Sequence, residues 1–328
     1  MRKILSGLMI FGVLQMQAQD AHFSQFHLMP LQLNPAMTGF FDGVARIGAI
    51  YRNQWFTLGH TKFETYGAYV DGKLILGKHQ QDYLGIGGSF YRDVAGDQAF
   101  TTTDAAISIA YSKGFGYHTK HSIALGIQAE FMMKQFRNGG ATFPDGIAEN
   151  IGKTNIGIDA TIGLRYHVEF HSRVNMYLGF AYAHVAQAKE SFLSGDKLYS
   201  KYVATAGAVI AIQERFNLVP SFMFLMQGPS LEANVGAGAQ YVFGNTWESK
   251  NSFTFALNAR FARPEGADAL IPNMRLDYKG FILGVAYDIN ISNLIRGTNS
   301  VGAIEVGAAY LIRPKKRGPH TITVCPSW

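Results

Sequence analysis

A two-residue rhythm of apolar and polar side chains recurs along most of this chain, and it limits the possible folds more than any motif does. In "SIALGIQAEFMMK" Ile123, Leu125, Ile127, Ala129, Phe131 and Met133 are apolar, with Ser122, Gly126, Gln128, Glu130 and Lys134 set between them. "NIGIDATIGLRYH" repeats the pattern, Ile156, Ile158, Ala160, Ile162, Leu164 and Tyr166 alternating with Gly157, Asp159, Thr161, Gly163, Arg165 and His167. "SLEANVGAGAQYVF" and "NSFTFALNARF" continue it. Successive residues of a strand face opposite sides of a sheet, so each run is a strand with one apolar and one polar face. The runs are about ten to fourteen residues long, beyond the five or six of an ordinary strand and near what a tilted membrane strand needs. About fourteen of them follow one another between "VARIGAIYRNQW" and "VGAIEVGAAYLI".

No apolar run after residue 18 reaches eighteen residues, so a helical span is excluded. Inside a bilayer, backbone N–H and C=O groups have only each other to pair with, and a closed barrel is the one sheet without an edge. Charged residues are 16% of the chain, against roughly 25% in a soluble domain, and aromatics are 13%. A soluble β-sandwich also alternates, but the low charge, the long strands and the rings near strand ends, Tyr241 with Phe243 and Tyr278 with Phe281, favour lipid. The expected fold is all-β: a transmembrane antiparallel β-barrel of about 14 strands over residues 43–312. Its lumen would be lined by Arg46, Arg52, Asp71, Glu130, Lys134, Asp159, Arg165, Glu232, Arg260, Arg275, Asp277, Asp288 and Glu305. Both charge signs occur there, which suits an internal ion-pair network better than a selective pore with a ring of one sign.

Residues 1–18, "MRKILSGLMIFGVLQMQA", have the basic start, short apolar centre and small final residue of a secretory signal peptide. Export and a barrel together imply an outer-membrane location, with outer-membrane lipid as the first partner. The formal charge is +6, and removing Arg2 and Lys3 leaves 6 − 2 = 4. Arg313, Lys315, Lys316 and Arg317 then gather in a basic tail over 313–328, so no basic stripe is left to track nucleic acid. The single cysteine, Cys325, cannot form an internal disulfide. If the chain starts on the periplasmic side, connections after odd strands face outward. The polar stretches 135–155, 186–200, 262–273 and 290–300 all fall on that side, whereas 169–173 and 213–216 are short turns. Long outside and short inside is the asymmetry of outer-membrane barrels, and it returns the tail to the periplasm.

Candidate chemistry is sparse. Glu130, Asp159 and Glu232 offer carboxylates for hydrolysis, but lumen faces carry carboxylates in any case. His118 with His121, and His22 with His27, lack the helical context of a zinc site. "GIGGSF" lacks the strand, turn and helix of a dinucleotide loop, and its small residues suit close packing on a strand. No catalytic residue, metal or cofactor is assigned. Residues 19–42, containing "QDAHFSQFHLMPLQLNPAMTGF", break the rhythm. Pro30 and Pro35 lack donors and bias Met29 and Asn34 toward extended backbone, while Phe23, Phe26, Leu28, Leu31 and Leu33 need burial. This piece reads as an irregular periplasmic segment that folds into the barrel mouth or offers an apolar ridge to a partner.

"DAHFSQFHLMPLQLNPAMTGF" followed by "ARIGAIYRNQW" resembles the N-terminal signature of the PorP/SprF family of type IX secretion outer-membrane proteins. "FILGVAYDINISNL", and "GAIEVGAAYLI" with the Cys325 and Pro326 pair, are similar to the family's closing segments. His27 and Leu28 stand where the family often has an aromatic residue, and Trp328 where Phe is common. The resemblance implies an accessory barrel that helps export and surface attachment of large adhesins carrying a type B sorting domain. It also implies a link to gliding motility and contact with periplasmic ring components. His22, Phe23, Phe26, Asn34, Pro35, Arg52, Asn53, Trp55 and Cys325 are the residues expected to meet partners, the alternative for each being packing within a plug or girdle. A diffusion channel or small-solute transporter is the competing function, and a barrel hydrolase built on the three carboxylates a third.

Overall fold

The computed structural model describes residues 20, 22–56, 63–77, 80–96, 100–116, 120–136, 153–170, 173–188, 197–246, 249–263, 266–292 and 300–313. The expected signal peptide, most of the 135–155 stretch and the tail beyond Arg313, Cys325 included, lie outside the described residues.

Fourteen strands form a closed antiparallel barrel. They are β1 (Ala45–Gln54), β2 (Phe63–Ile75), β3 (Tyr83–Ala95), β4 (Phe100–Phe115), β5 (His121–Phe136), β6 (Lys153–Phe170) and β7 (Val174–Ala183), followed by β8 (Lys201–Ala211), β9 (Phe216–Gln227), β10 (Ser230–Thr246), β11 (Ser249–Arg263), β12 (Gly266–Tyr278), β13 (Phe281–Asn290) and β14 (Val301–Ile312). Each pairs with its sequence neighbours, and β1 closes the ring on β14 with Arg52 opposite Glu305. Several strands outrun the expected ten to fourteen residues, β6 reaching 18 and β10 reaching 17.

The rhythm becomes two surfaces. Outward residues are apolar and exposed, among them Ile107 at 67% and Ile158 at 74%, which is what a lipid-facing wall requires. All of the expected lumen charges are buried on the inner face. Exposed rings form a girdle at one rim, Tyr111, Phe115, Phe170, Tyr241, Tyr278 and Phe281, with Phe56 and Tyr66 at the other.

Connections after odd strands gather at one rim and include the longest, between residues 136 and 153, 183 and 201, and 290 and 301. The opposite rim carries short turns such as 212–215 and 279–280. One expected connection is corrected: 262–273 is mostly strand, because β11 runs to Arg263 and β12 begins at Gly266. Ala269 and Ile271 are buried on the inner face, and Asp268, read as loop polarity, pairs with Arg260 at 2.6 Å.

The N-terminal segment also departs from expectation. It lies inside the lumen instead of at the periplasmic mouth, and it coils into three successive single helical turns, Phe26–Leu28, Pro30–Leu33 and Pro35–Met37. Asn34 is extended as its following proline requires, at φ −158° and ψ 115°. The reason for the location is burial. Phe23, Leu28, Met29, Leu31 and Phe41 pack against inward-facing Ile50, Tyr69, Ile282, Ala309 and Leu311, an apolar patch on an otherwise polar inner wall. Each large side chain so buried contributes about 1.5–3 kcal/mol.

Candidate functional site: the lumen plug

Residues 22–41 act as a plug, and the inner wall is shaped around them. The tightest approach lies at β5 and β6. A Cβ added at Gly126 would collide with the Pro35 backbone, and one at Gly163 would collide with the Asn34 side chain. Glycine is needed here for space, because any side chain would exclude the plug.

Asn34 organises its own turn and fastens it to the wall. Its Oδ1 accepts from the Ala36 N–H at 2.8 Å, and its Nδ2 donates to the carbonyls of Leu164 at 3.0 Å and Phe180 at 3.2 Å. Further along, Thr38 Oγ1 donates to Ser108 Oγ at 2.9 Å and the Gly39 N–H donates to Asp71 at 2.8 Å. Asp71 is also held by Arg46 through two bonds of 2.9 Å, so one carboxylate ties plug and wall together.

The most charged anchor surrounds Ser24. Its backbone N–H and that of Gln25 donate to the two oxygens of Glu305 at 2.6 and 2.8 Å. Its hydroxyl lies 2.7 and 2.9 Å from the oxygens of Asp288 and accepts from Arg52 and Arg260, each at 2.9 Å. Arg52 itself bridges Glu305 and Asp288. Opposite charges this deep are tolerable only because every ion meets several partners.

The segment ends at the long-connection rim. Asp20 accepts from Lys201 at 2.5 Å and from His184 Nε2 at 2.7 Å, and its N–H donates to Gln227 at 3.3 Å. Burial alone would raise the Asp20 carboxyl, but Lys201 and His184 hold it well below the usual range. Burial would likewise depress His184, yet Asp20 and Asp159 raise it to about 9. The plug therefore runs from one rim to the other, from Asp20 beside the start of β8 to Phe41, whose carbonyl accepts from Lys73 near the end of β2.

Of the residues singled out in the sequence, Phe23, Phe26, Asn34, Pro35 and Arg52 are buried in this assembly, where they form or hold the plug. His22 sits beside them, its Nδ1 3.5 Å from Glu232. Asn53 and Trp55 are half-buried at the long-connection rim, Asn53 donating to the Tyr51 hydroxyl at 3.0 Å and Trp55 packing edge-on to Phe63 at 4.9 Å. The candidate hydrolytic carboxylates are not gathered into one site. Glu130 and Asp159 are cross-strand neighbours, but Glu130 accepts from Thr161, and Asp159 accepts from the N–H groups of Ala160, Ala186 and Ala188. Glu232, on β10, faces His22. Sequence reasoning missed Ser24, His184 and Lys201. A signal for the plug was present in β14, where Ala309 and Leu311 are apolar on the face that elsewhere carries charge.

A family model described as type IX secretion system membrane protein PorP/SprF matches residues 15–310. No curated protein matches the chain. Among solved structures, the chain is similar to the KdgM porin, at 9% identity over 82% of this chain and 99% of that one, with a TM-score of 0.40. It is also similar to a Pseudomonas aeruginosa FadL homologue, at 11% identity, 84% and 92% coverage and a TM-score of 0.43. The TodX monoaromatic hydrocarbon channel deltaS2 mutant matches at 9% identity, 86% and 93% coverage and a TM-score of 0.47.

Proposed function

The chain belongs to the PorP/SprF family of type IX secretion membrane proteins, and from that premise we propose that it is a non-enzymatic outer-membrane scaffold, closed to solutes, that helps large adhesin-type cargo with a type B sorting domain reach and hold the cell surface. The observation that carries this reading is the plug. It contacts strands around the ring, through β14 and β1 at Ser24 and Arg52, through β6 and β7 at Asn34, and through β4 at Thr38. A diffusion channel gains nothing from a segment fastened across its lumen: the clefts beside Met29, Leu33 and Met37 admit only one or a few water-sized groups, and the wider void left between Ser24, Phe26 and His27 and the wall at Val219, Asn258 and Arg275 is bounded by the plug itself.

On this reading partners act at the rims. Cargo meets the long connections, the 135–155 stretch above all, together with the rim pair Asn53 and Trp55. Periplasmic ring components meet the short-turn rim and the basic tail, the latter through charge that salt should screen. His22, Phe23, Phe26, Asn34, Pro35 and Arg52 serve partner binding indirectly, by keeping the barrel in the shape that the rims present. A role for Cys325 in cross-linking would show as a higher-mass species lost on non-reducing gels in Cys325→Ser.

The test is affinity purification of the tagged protein from gently solubilised outer membranes. Adhesin cargo and secretion components should co-purify, and replacing residues 137–152 with a short Gly-Ser linker should remove the cargo while leaving a heat-modifiable barrel. Recovery of the barrel alone, or cargo retention without that connection, contradicts the proposal.

A further inference from the structure

Four lumen arginines have carboxylate partners: Arg46 with Asp71, Arg52 with Asp288 and Glu305, Arg260 with Asp268 and Asp288, and Arg275 with Asp277. Arg165 differs. It is 0% exposed and has no carboxylate at ion-pair distance among the described residues. Neutral groups hold it instead. Nε donates to the Ala36 carbonyl at 3.2 Å, Nη2 donates to Tyr83 Oη and Ser112 Oγ, both at 3.2 Å, and the guanidinium lies 3.8 Å over the Phe40 ring. Nη1 has no hydrogen-bond partner.

Arg165 helps line a narrow cleft near the short-turn rim, together with Asp42, Lys73, Gln81, Tyr83 and His167. Lys73 is a second cation there, its Nζ 5.3 Å from the centre of the same Tyr83 ring whose hydroxyl meets Arg165. Gln81 contributes a buried side-chain oxygen that also has no partner. Among the described residues Asp42 is the one carboxylate of the lining, and it is 40% exposed and pairs with Arg313 at 3.5 Å. A buried guanidinium with an unmade bond, a second cation in the same lining and the lining's acid engaged elsewhere are the ingredients of an anion site. The amide of Gln81, turned by half a rotation, adds a donor from Nε2.

We propose that this cleft binds a small oxyanion arriving from the short-turn side, one of whose oxygens accepts from the buried Arg165 Nη1 once the Gln81 side chain turns aside to admit it, while Lys73 supplies charge. The free interior has room for about one water-sized group, which fits a single carboxylate or phosphate oxygen and rules out a nucleotide. A free phosphate ion and the terminal carboxylate of a peptide share this chemistry. Two cations in the lining select against metal ions. The assignment depends on Arg165 and its surroundings and is independent of the secretion role.

Calorimetric titration of the purified full chain in detergent, at constant ionic strength, tests it with inorganic phosphate, acetate, and a short peptide with a free C-terminus beside its amidated twin. Saturable binding of one anion per chain is expected, weakened about tenfold in Arg165→Met and by a smaller factor in Gln81→Leu, which lies nearer the rim and leaves the plug contacts of Arg165 intact. Discrimination between peptide and amide identifies a partner's terminus as the source, and binding of phosphate and acetate without that discrimination identifies a free ion. Absence of saturable binding with all of these ligands, or binding unchanged in Gln81→Leu and in any folded Arg165→Met protein, overturns the proposal.

Discussion

Asn34 donates from Nδ2 to the Leu164 carbonyl at 3.0 Å, passing over Gly163 to reach the backbone of β6. The bond exists only because position 163 carries no side chain. Gly163→Ala should push the Asn34 turn away and destabilise the protein by about 1–3 kcal/mol, the usual cost of overpacking. Gly88→Ala, whose added Cβ would meet only ordinary contact at 3.4 Å, should change little. Denaturant midpoints of the two variants in the same detergent check the contrast, and equal midpoints would argue against a moulded socket.

The Ser24 anchor makes a sharper demand. Arg52→Met leaves Glu305 and Asp288 buried with one cation fewer, which should cost about 3–5 kcal/mol. Ser24→Ala removes only a hydroxyl and should cost about 1–2 kcal/mol. Because both side chains belong to one network, the double variant should fall short of the sum. An additive double-mutant cycle would show that the two act separately.

The Asp20 latch should depend on pH. His184 is raised to about 9, so its contribution is complete below its ordinary value near 6.5 and is lost as pH rises through about 9. Asp20 is shifted downward, so its contribution is present above the ordinary carboxylate range and disappears as pH falls below it. Protease sensitivity of the residue 20–24 stretch should be lowest between these limits. His184→Gln should flatten the alkaline limb and leave the acid limb in place, and an unchanged alkaline limb would remove His184 from the latch.

Ile158 is 74% exposed on the outer wall, one residue before the inward Asp159. Arg at that position should cost about 2–4 kcal/mol in a bilayer if the site is near the midplane. Unfolding titrations in lipid vesicles measure this directly. A negligible cost would place β6 outside the hydrocarbon or reverse its faces.

The barrel was legible in the sequence because lipid imposes a period of two on every strand. β14 runs from Val301 to Ile312, the bounds of "VGAIEVGAAYLI". The 262–273 stretch was misread because polarity at Asp268 and Pro272 resembles a loop, although Asp268 meets Arg260 and Pro272 pairs opposite Leu257 within the sheet. The plug was visible as an exception to the rhythm, and Asn34 and Pro35 stood out by their chemistry. Packing as a plug was one of the two readings open for its residues, and apolar Ala309 and Leu311 on the inner face of β14 pointed to it, but its path through the lumen was not legible, since that depends on which strand glycines face inward across the ring, as Gly126 and Gly163 do. His184 and Lys201 were hidden for a similar reason, lying 164 and 181 residues from the Asp20 they hold.

Single-channel recording of the purified full chain in planar bilayers tests the central claim, that the lumen is sealed by the chain's own N-terminal segment. The intact protein should insert without sustained conductance, and the variant lacking residues 22–41 should open a stable pore. A steady ion current through the intact protein, of the same size as through the deletion, would contradict the account.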